Sequence, residues 1–125
     1  MRKTLCISFA LAALALTANA ARTLTVAPQG GDWSSDATWL EGGSPTTAPA
    51  SGEYIELRAE GSSAPLIVNT DACAESISMW GSDKNIEINS GASLTVGSKG
   101  MNLQNITTSI SGLGTLTTSS GNLII

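Results

Sequence analysis

EYIELRAE, residues 53–60, decides the fold. Ile55, Leu57 and Ala59 occupy every second position, with Glu56, Arg58 and Glu60 between them. A period of two, apolar on one side and charged on the other, is the pattern of a β-strand with one buried and one wet face. Asn85-Ile86-Glu87-Ile88-Asn89 repeats it, as does Ser93-Leu94-Thr95-Val96. Ile77 with Met79, Met101 with Leu103, and Leu123 with Ile125 continue the alternation. Ile55, Leu57, Ile77, Met79, Ile86, Ile88, Leu94, Val96, Leu103 and Leu116 are therefore expected to point inward, and Glu56, Arg58, Glu87 and Thr95 outward. The strands are short and rich in Ile, Val and Thr, which suit a pleated surface.

Glycines punctuate this rhythm. Gly81, Gly91, Gly100, Gly112 and Gly121 follow one another at intervals of 10, 9, 12 and 9 residues. Strand-turn units of that length build an all-β sandwich or barrel, or, taken two per coil, a β-solenoid. Short strands and Thr/Ser tracts such as Thr107-Thr108-Ser109 and Thr117-Thr118-Ser119-Ser120 favour the solenoid, with the β-sandwich as the alternative. No Asn-Gly or Asp-Gly turn is present to support hairpins. Residues 21–52, with Pro28, Pro45 and Pro49, look loop-like. The expected organisation is residues 1–20 as a signal peptide, 21–52 as an N-terminal cap region, and 53–125 as solenoid rungs.

The signal peptide follows from the N-terminal layout. Met1-Arg2-Lys3 is basic, Leu5 to Leu16 is apolar, and Ala18-Asn19-Ala20 offers a small-x-small cleavage site before Ala21. The apolar stretch is shorter than the roughly 20 residues of a lasting membrane anchor. Cleavage would leave 125 − 20 = 105 residues and move the formal charge from −4 to −4 − 2 = −6. An acidic surface with four scattered cations (Arg22, Arg58, Lys84, Lys99) disfavours nucleic acid and anionic membrane as partners.

Residues that could carry chemistry are few. The chain has no His, which removes Ser-His-Asp and Cys-His catalysis and the commonest metal ligand. There is no phosphate-binding loop and no dinucleotide fingerprint. Cys73 is the only cysteine after the cleavage site, so it is expected to be an unpaired, shielded apolar side chain. Asp32-x-Ser34-x-Asp36 has the oxygen spacing that opens a calcium loop, but Ala37 replaces the required Gly and no Glu closes the loop. Turn or capping roles are expected for both Asp residues. Glu56 and Glu60 could be a glycosidase pair but alternate with core residues on one strand, which makes them a solvated face. Trp80 is expected to pack at a strand end. No catalytic, cofactor or metal site is expected.

Gly31-Asp32-Trp33-Ser34-Ser35-Asp36-Ala37-Thr38-Trp39, followed by Gly42-Gly43, Pro49 and Ser51-Gly52-Glu53-Tyr54-Ile55, resembles the opening of bacterial autotransporter-type passenger regions. Ile110-Ser111-Gly112-Leu113-Gly114-Thr115-Leu116-Thr117 is similar to the core of the autotransporter-associated β-strand repeat. The resemblance implies a right-handed parallel β-helix, exported through the Sec pathway by a Gram-negative bacterium and secreted or displayed at its surface. It implies a non-enzymatic, structural or adhesin-like passenger whose partners would be surface glycans or host and matrix surfaces. Members of the family are usually longer. The alternation still runs at Asn122-Leu123-Ile124-Ile125, so the chain is expected to be a fragment or a truncated relative.

A solenoid needs a cap over its first coil. Trp33 and Trp39 stand just before the first clear strand, in a chain with only 4% aromatic residues, and are expected to supply that cap. Two rival readings remain at the level of sequence. The tryptophans could form a stacking platform for sugars in a carbohydrate-binding module. The segment could also be the N-terminal piece of a β-helical polysaccharide-degrading enzyme.

Overall fold

The computed structural model describes residues 21–59, 64–79, 85–103, 109–118 and 123–124. Expectations for residues 1–20, Glu60, Trp80, Gly81, Lys84, Thr107-Thr108, Ser119-Ser120, Gly121 and Ile125 lie outside the described residues. The chain is all-β. Its strands are β1 (Thr23–Val26), β2 (Gly31–Asp32), β3 (Trp39–Glu41), β4 (Ser44–Pro45), β5 (Tyr54–Ala59), β6 (Leu66–Val68), β7 (Asp71–Met79), β8 (Asn85–Ile88), β9 (Ser93–Asn102), β10 (Ser109–Gly112), β11 (Thr115–Thr118) and β12 (Leu123–Ile124). Among the described residues a single 3-10 turn, Asp36–Thr38, is present, and it precedes β3.

The strands divide between two sheets. One runs β11-β9-β7-β5-β1-β3-β4, with β12 also on β9, and the other runs β10-β8-β6-β2. From β5 to β11 the chain alternates between the sheets, so each strand lies beside the one two places earlier. All those pairs are parallel. Parallel neighbours cannot be joined by a hairpin and need a crossover, which here is a strand of the other sheet. Register partners are therefore 86 − 66 = 20 residues apart from Leu66 to Ile86 and 115 − 93 = 22 apart from Ser93 to Thr115.

The parallel register stacks like residues on like. Leu24, Leu57, Ile77 and Met101 form one inward row, Ile55, Ala74 and Val96 a second, and Leu66 with Ile86 a third. These residues are buried and belong to one hydrophobic cluster. Of the ten residues expected inside, Ile55, Leu57, Ile77, Met79, Ile86, Ile88, Leu94 and Val96 are buried, and Leu103 packs partly against the cluster. Leu116 departs from the expectation. It continues the row of Ala72 and Leu94, yet it is 40% exposed because β11 has a partner only on its β9 side among the described residues. Outward, Arg58 and Glu87 are exposed while Glu56 and Thr95 are half-buried.

Three further differences have physical causes. Residues 21–52, expected to be loop-like, contain four strands, and β1 and β2 pair in parallel with β5 and β6. A hairpin is present despite the missing Asn-Gly and Asp-Gly pairs. Gly42 and Gly43 join β3 to β4 with φ of 59° and 83°, the doubly left-handed backbone of a type I′ turn, which two glycines enter without a Cβ clash. Cys73 is buried as expected, but it is held in a disulfide and is not a free thiol. Nor does Cys73 face the core, since it sits between inward Ala72 and Ala74, in register with Tyr54 and Thr95 on the outer side.

Candidate functional site: the tryptophan pair

Trp33 follows β2 and Trp39 begins β3, so the 3-10 turn between them sets their separation. The turn is held from inside by its own sequence. The Thr38 hydroxyl donates to the Asp32 carbonyl at 2.7 Å, and the Ser35 amide donates to the same oxygen at 3.1 Å. Gly31 is required here, because a Cβ at that position would meet the Thr38 hydroxyl at 2.5 Å with φ at 135°. Trp33 extends the pairing of β2 by donating its amide to Ile67 O at 2.7 Å, and Trp39 pairs with Val26 of β1.

The result is one packed unit. The two rings meet edge to face, with centroids 4.9 Å apart and planes at 80°. The Trp39 indole N–H donates to the Trp33 carbonyl at 2.8 Å, so its only polar atom is satisfied without water. Trp33 is 2% exposed and Trp39 0%. Both belong to the same hydrophobic cluster as the inward rows. Neither ring presents a face on which a sugar could stack.

Polar contacts tie the surrounding loops down. The Asn69 side chain accepts from the Ser34 amide (3.2 Å) and donates to the Ser34 hydroxyl (2.8 Å). Asp36 Oδ1 accepts from the Ala48 amide at 2.7 Å, which places Asp36 as a fastener of the 46–50 segment. Asp32 contributes its backbone carbonyl to the turn. Among the described residues no group of three or more His, Cys, Asp or Glu side chains is placed to hold a metal ion.

Beside the pair lies an ionic knot that the sequence did not suggest. Arg22, just before β1, meets Glu53 with two hydrogen bonds, Nε to Oε2 at 2.7 Å and an Nη to Oε1 at 3.0 Å. The same guanidinium reaches Thr46 Oγ1 at 3.4 Å and Thr47 O at 3.3 Å, and stands 3.8 Å from Glu41. Glu53 Oε1 also accepts from the Ala50 amide at 2.9 Å. Burial alone would raise the Glu53 carboxyl, but the Arg22 hydrogen bond, the Ala50 amide and the Arg22 charge outweigh it and hold it below its ordinary value. Arg22 is pushed up, chiefly by its hydrogen bond to Glu53. The knot joins the start of β1, the β3–β4 hairpin and the start of β5. No periodic spacing links positions 22, 41 and 53, so only the fold could reveal it.

Glu56, read as a solvated carboxylate, is half-buried and takes Lys99 Nζ at 3.3 Å. Burial raises the Tyr54 phenol, and the Glu75 charge adds to the effect. Neither arrangement pairs two carboxylates across a cleft. No family model matches the chain, and no curated protein or solved structure matches it either.

Proposed function

We propose that the chain is a segment of an exported, non-enzymatic β-helix, a structural or adhesin-like passenger of a Gram-negative cell surface. In this reading the two sheets are sides of a right-handed parallel β-helix, and Trp33 and Trp39 cap its first coil. The observation that carries it is the alternation of strands between two sheets with parallel, like-on-like register, since a sandwich would connect its neighbours by antiparallel hairpins. Burial of both indoles supports a cap over a sugar platform. The basic-apolar-small layout of residues 1–20 supports export.

The test is made on the whole chain produced with its own leader in a Gram-negative host. The expected outcome is a product outside the inner membrane that starts at Ala21 and releases no reducing ends or unsaturated sugars from a polysaccharide panel. An intact Met1 on the folded extracellular product, or sustained polysaccharide cleavage, would overturn the reading.

A further inference from the structure

The bond expected to be cut on export is Ala20–Ala21. Only Ala21 and Arg22 separate it from β1, and both already belong to the fold as half-buried residues. The Arg22 carbonyl accepts the Glu56 amide at 2.8 Å, which carries the β1–β5 ladder back past Thr23. Its guanidinium is clasped by Glu53 at 2.7 and 3.0 Å and reaches Thr46 and Thr47. Arg22 is the only Lys or Arg between Lys3 and Arg58, so no nearby residue can take its place opposite Glu53.

Nor is β1 an edge that frays freely. β5 pairs along one side of it and β3 along the other, and its inward Leu24 and Val26 are buried. A peptidase grips its substrate as an extended strand on both sides of the scissile bond. Arg22 and Thr23 would have to leave Glu53 and β5 before the bond could enter such a site. Cleavage of a folded chain therefore runs through its locally opened form, in proportion to the population of that form.

We infer, resting on the export reading, that the fold shields its own processing site. Once β1 has docked on β5 and Glu53 has clasped Arg22, the leader can no longer be removed. Processing then precedes docking of the N-terminal strand, and a precursor that folds first keeps its leader. The Arg22–Glu53 pair thereby gains a role besides stability, since it holds the residues that the peptidase must draw out.

An order-of-addition experiment on the whole precursor tests it. The chain is diluted from urea, purified signal peptidase in detergent is added at once or after refolding is complete, and cleavage is followed on reducing gels with N-terminal sequencing. Product starting at Ala21 is expected when the enzyme is present from the start, and cleavage at least about a hundredfold slower once the chain has refolded. Arg22→Ala should speed cleavage of the refolded chain by about tenfold, as the loss of hydrogen bonds to a charged group implies, and leave the rate from urea unchanged. A six-residue Gly-Ser insertion between Ala21 and Arg22 keeps the clasp but moves the bond away from it, so the refolded chain should then be cut as fast as the unfolded one. Equal rates before and after refolding, an Arg22→Ala chain as resistant as the parent, or an insertion that leaves protection intact would each overturn the inference alone. No product at Ala21 from either form would overturn the export reading and this inference with it.

Discussion

Trp39→Ala removes one of the two largest fully buried side chains of the described residues. An indole of this kind buries on the order of 200 Å², which at about 25 cal/mol per Å² is close to 5 kcal/mol of transfer free energy. Alanine keeps part of that, and the walls relax only partly into the space. The change also removes the edge-to-face contact with Trp33, about 1 kcal/mol, and strands the Trp33 carbonyl that accepted the indole N–H. These contributions overlap, so a net loss of about 3–5 kcal/mol is expected. Urea unfolding followed by far-UV circular dichroism measures it, with an unchanged slope showing that the same surface is exposed. Trp39→Phe refills most of the space without the donor and should cost only about 1–2 kcal/mol. In a Trp80→Phe background the remaining indole fluorescence should resist acrylamide. A loss under about 1 kcal/mol for Trp39→Ala, together with free quenching, would refute the cap and return the sugar platform to consideration.

The ionic knot predicts a pH dependence. Because the folded Glu53 carboxyl lies below its ordinary value, its contribution is present above the ordinary glutamate range and is lost as pH falls through the lowered value; Glu53→Gln should therefore flatten the fall in melting temperature between neutral pH and about pH 3. Gly112→Ala forces a Cβ onto the Ile88 backbone at a φ of 105°, whereas Gly91→Ala, at a φ of 81°, meets open space; losses of about 2–3 and about 1 kcal/mol respectively are expected in thermal unfolding, and equal losses would contradict the close approach. Leu57→Ala should cost about 2–5 kcal/mol and Leu116→Ala less than about 1, although both lie on inward rows, because only Leu57 is enclosed.

Alternation made the strands legible because a strand with one buried face writes its orientation into every second residue. Ile55 with Leu57 and Ile86 with Ile88 could hardly be placed otherwise. Leu116 obeys the same alternation yet stays exposed, since burial depends on a neighbour that the local pattern does not encode. The strand Thr23–Val26 was also readable in principle. Thr-Leu-Thr-Val repeats the alternation of Ser93-Leu94-Thr95-Val96, but the prolines and glycines that follow made the whole segment look like loop. The tryptophans could be singled out from their position and rarity, while their edge-to-face contact and the N–H bond to the Trp33 carbonyl required the turn geometry. The Arg22–Glu53 pair spans 31 residues, and no sequence rule connects those positions.

The offset between register partners changes at one place in the larger sheet. In β5, Ile55 and Glu56 are adjacent, while their partners Ala74 and Ser76 in β7 enclose Glu75. In β9 the next partners, Val96 and Gly100, enclose Gly97, Ser98 and Lys99. The register offset accordingly grows from 74 − 55 = 19 before the shift to 76 − 56 = 20 after it, and then from 96 − 74 = 22 to 100 − 76 = 24. The added residues bulge outward, as extra residues in a ladder do. Ser98 donates to Glu75 Oε1 at 2.5 Å, and Lys99 reaches back two strands to Glu56. Gly97 stays small because a Cβ there would meet Glu75. The inward rows on both sides of the shift keep their register, so Leu57 still stacks on Ile77 and Ile77 on Met101. Sequence length can thus vary at the polar bulge without displacing the apolar rows. For that reason the period of the alternation is sharp in this chain while the spacing between register partners is not.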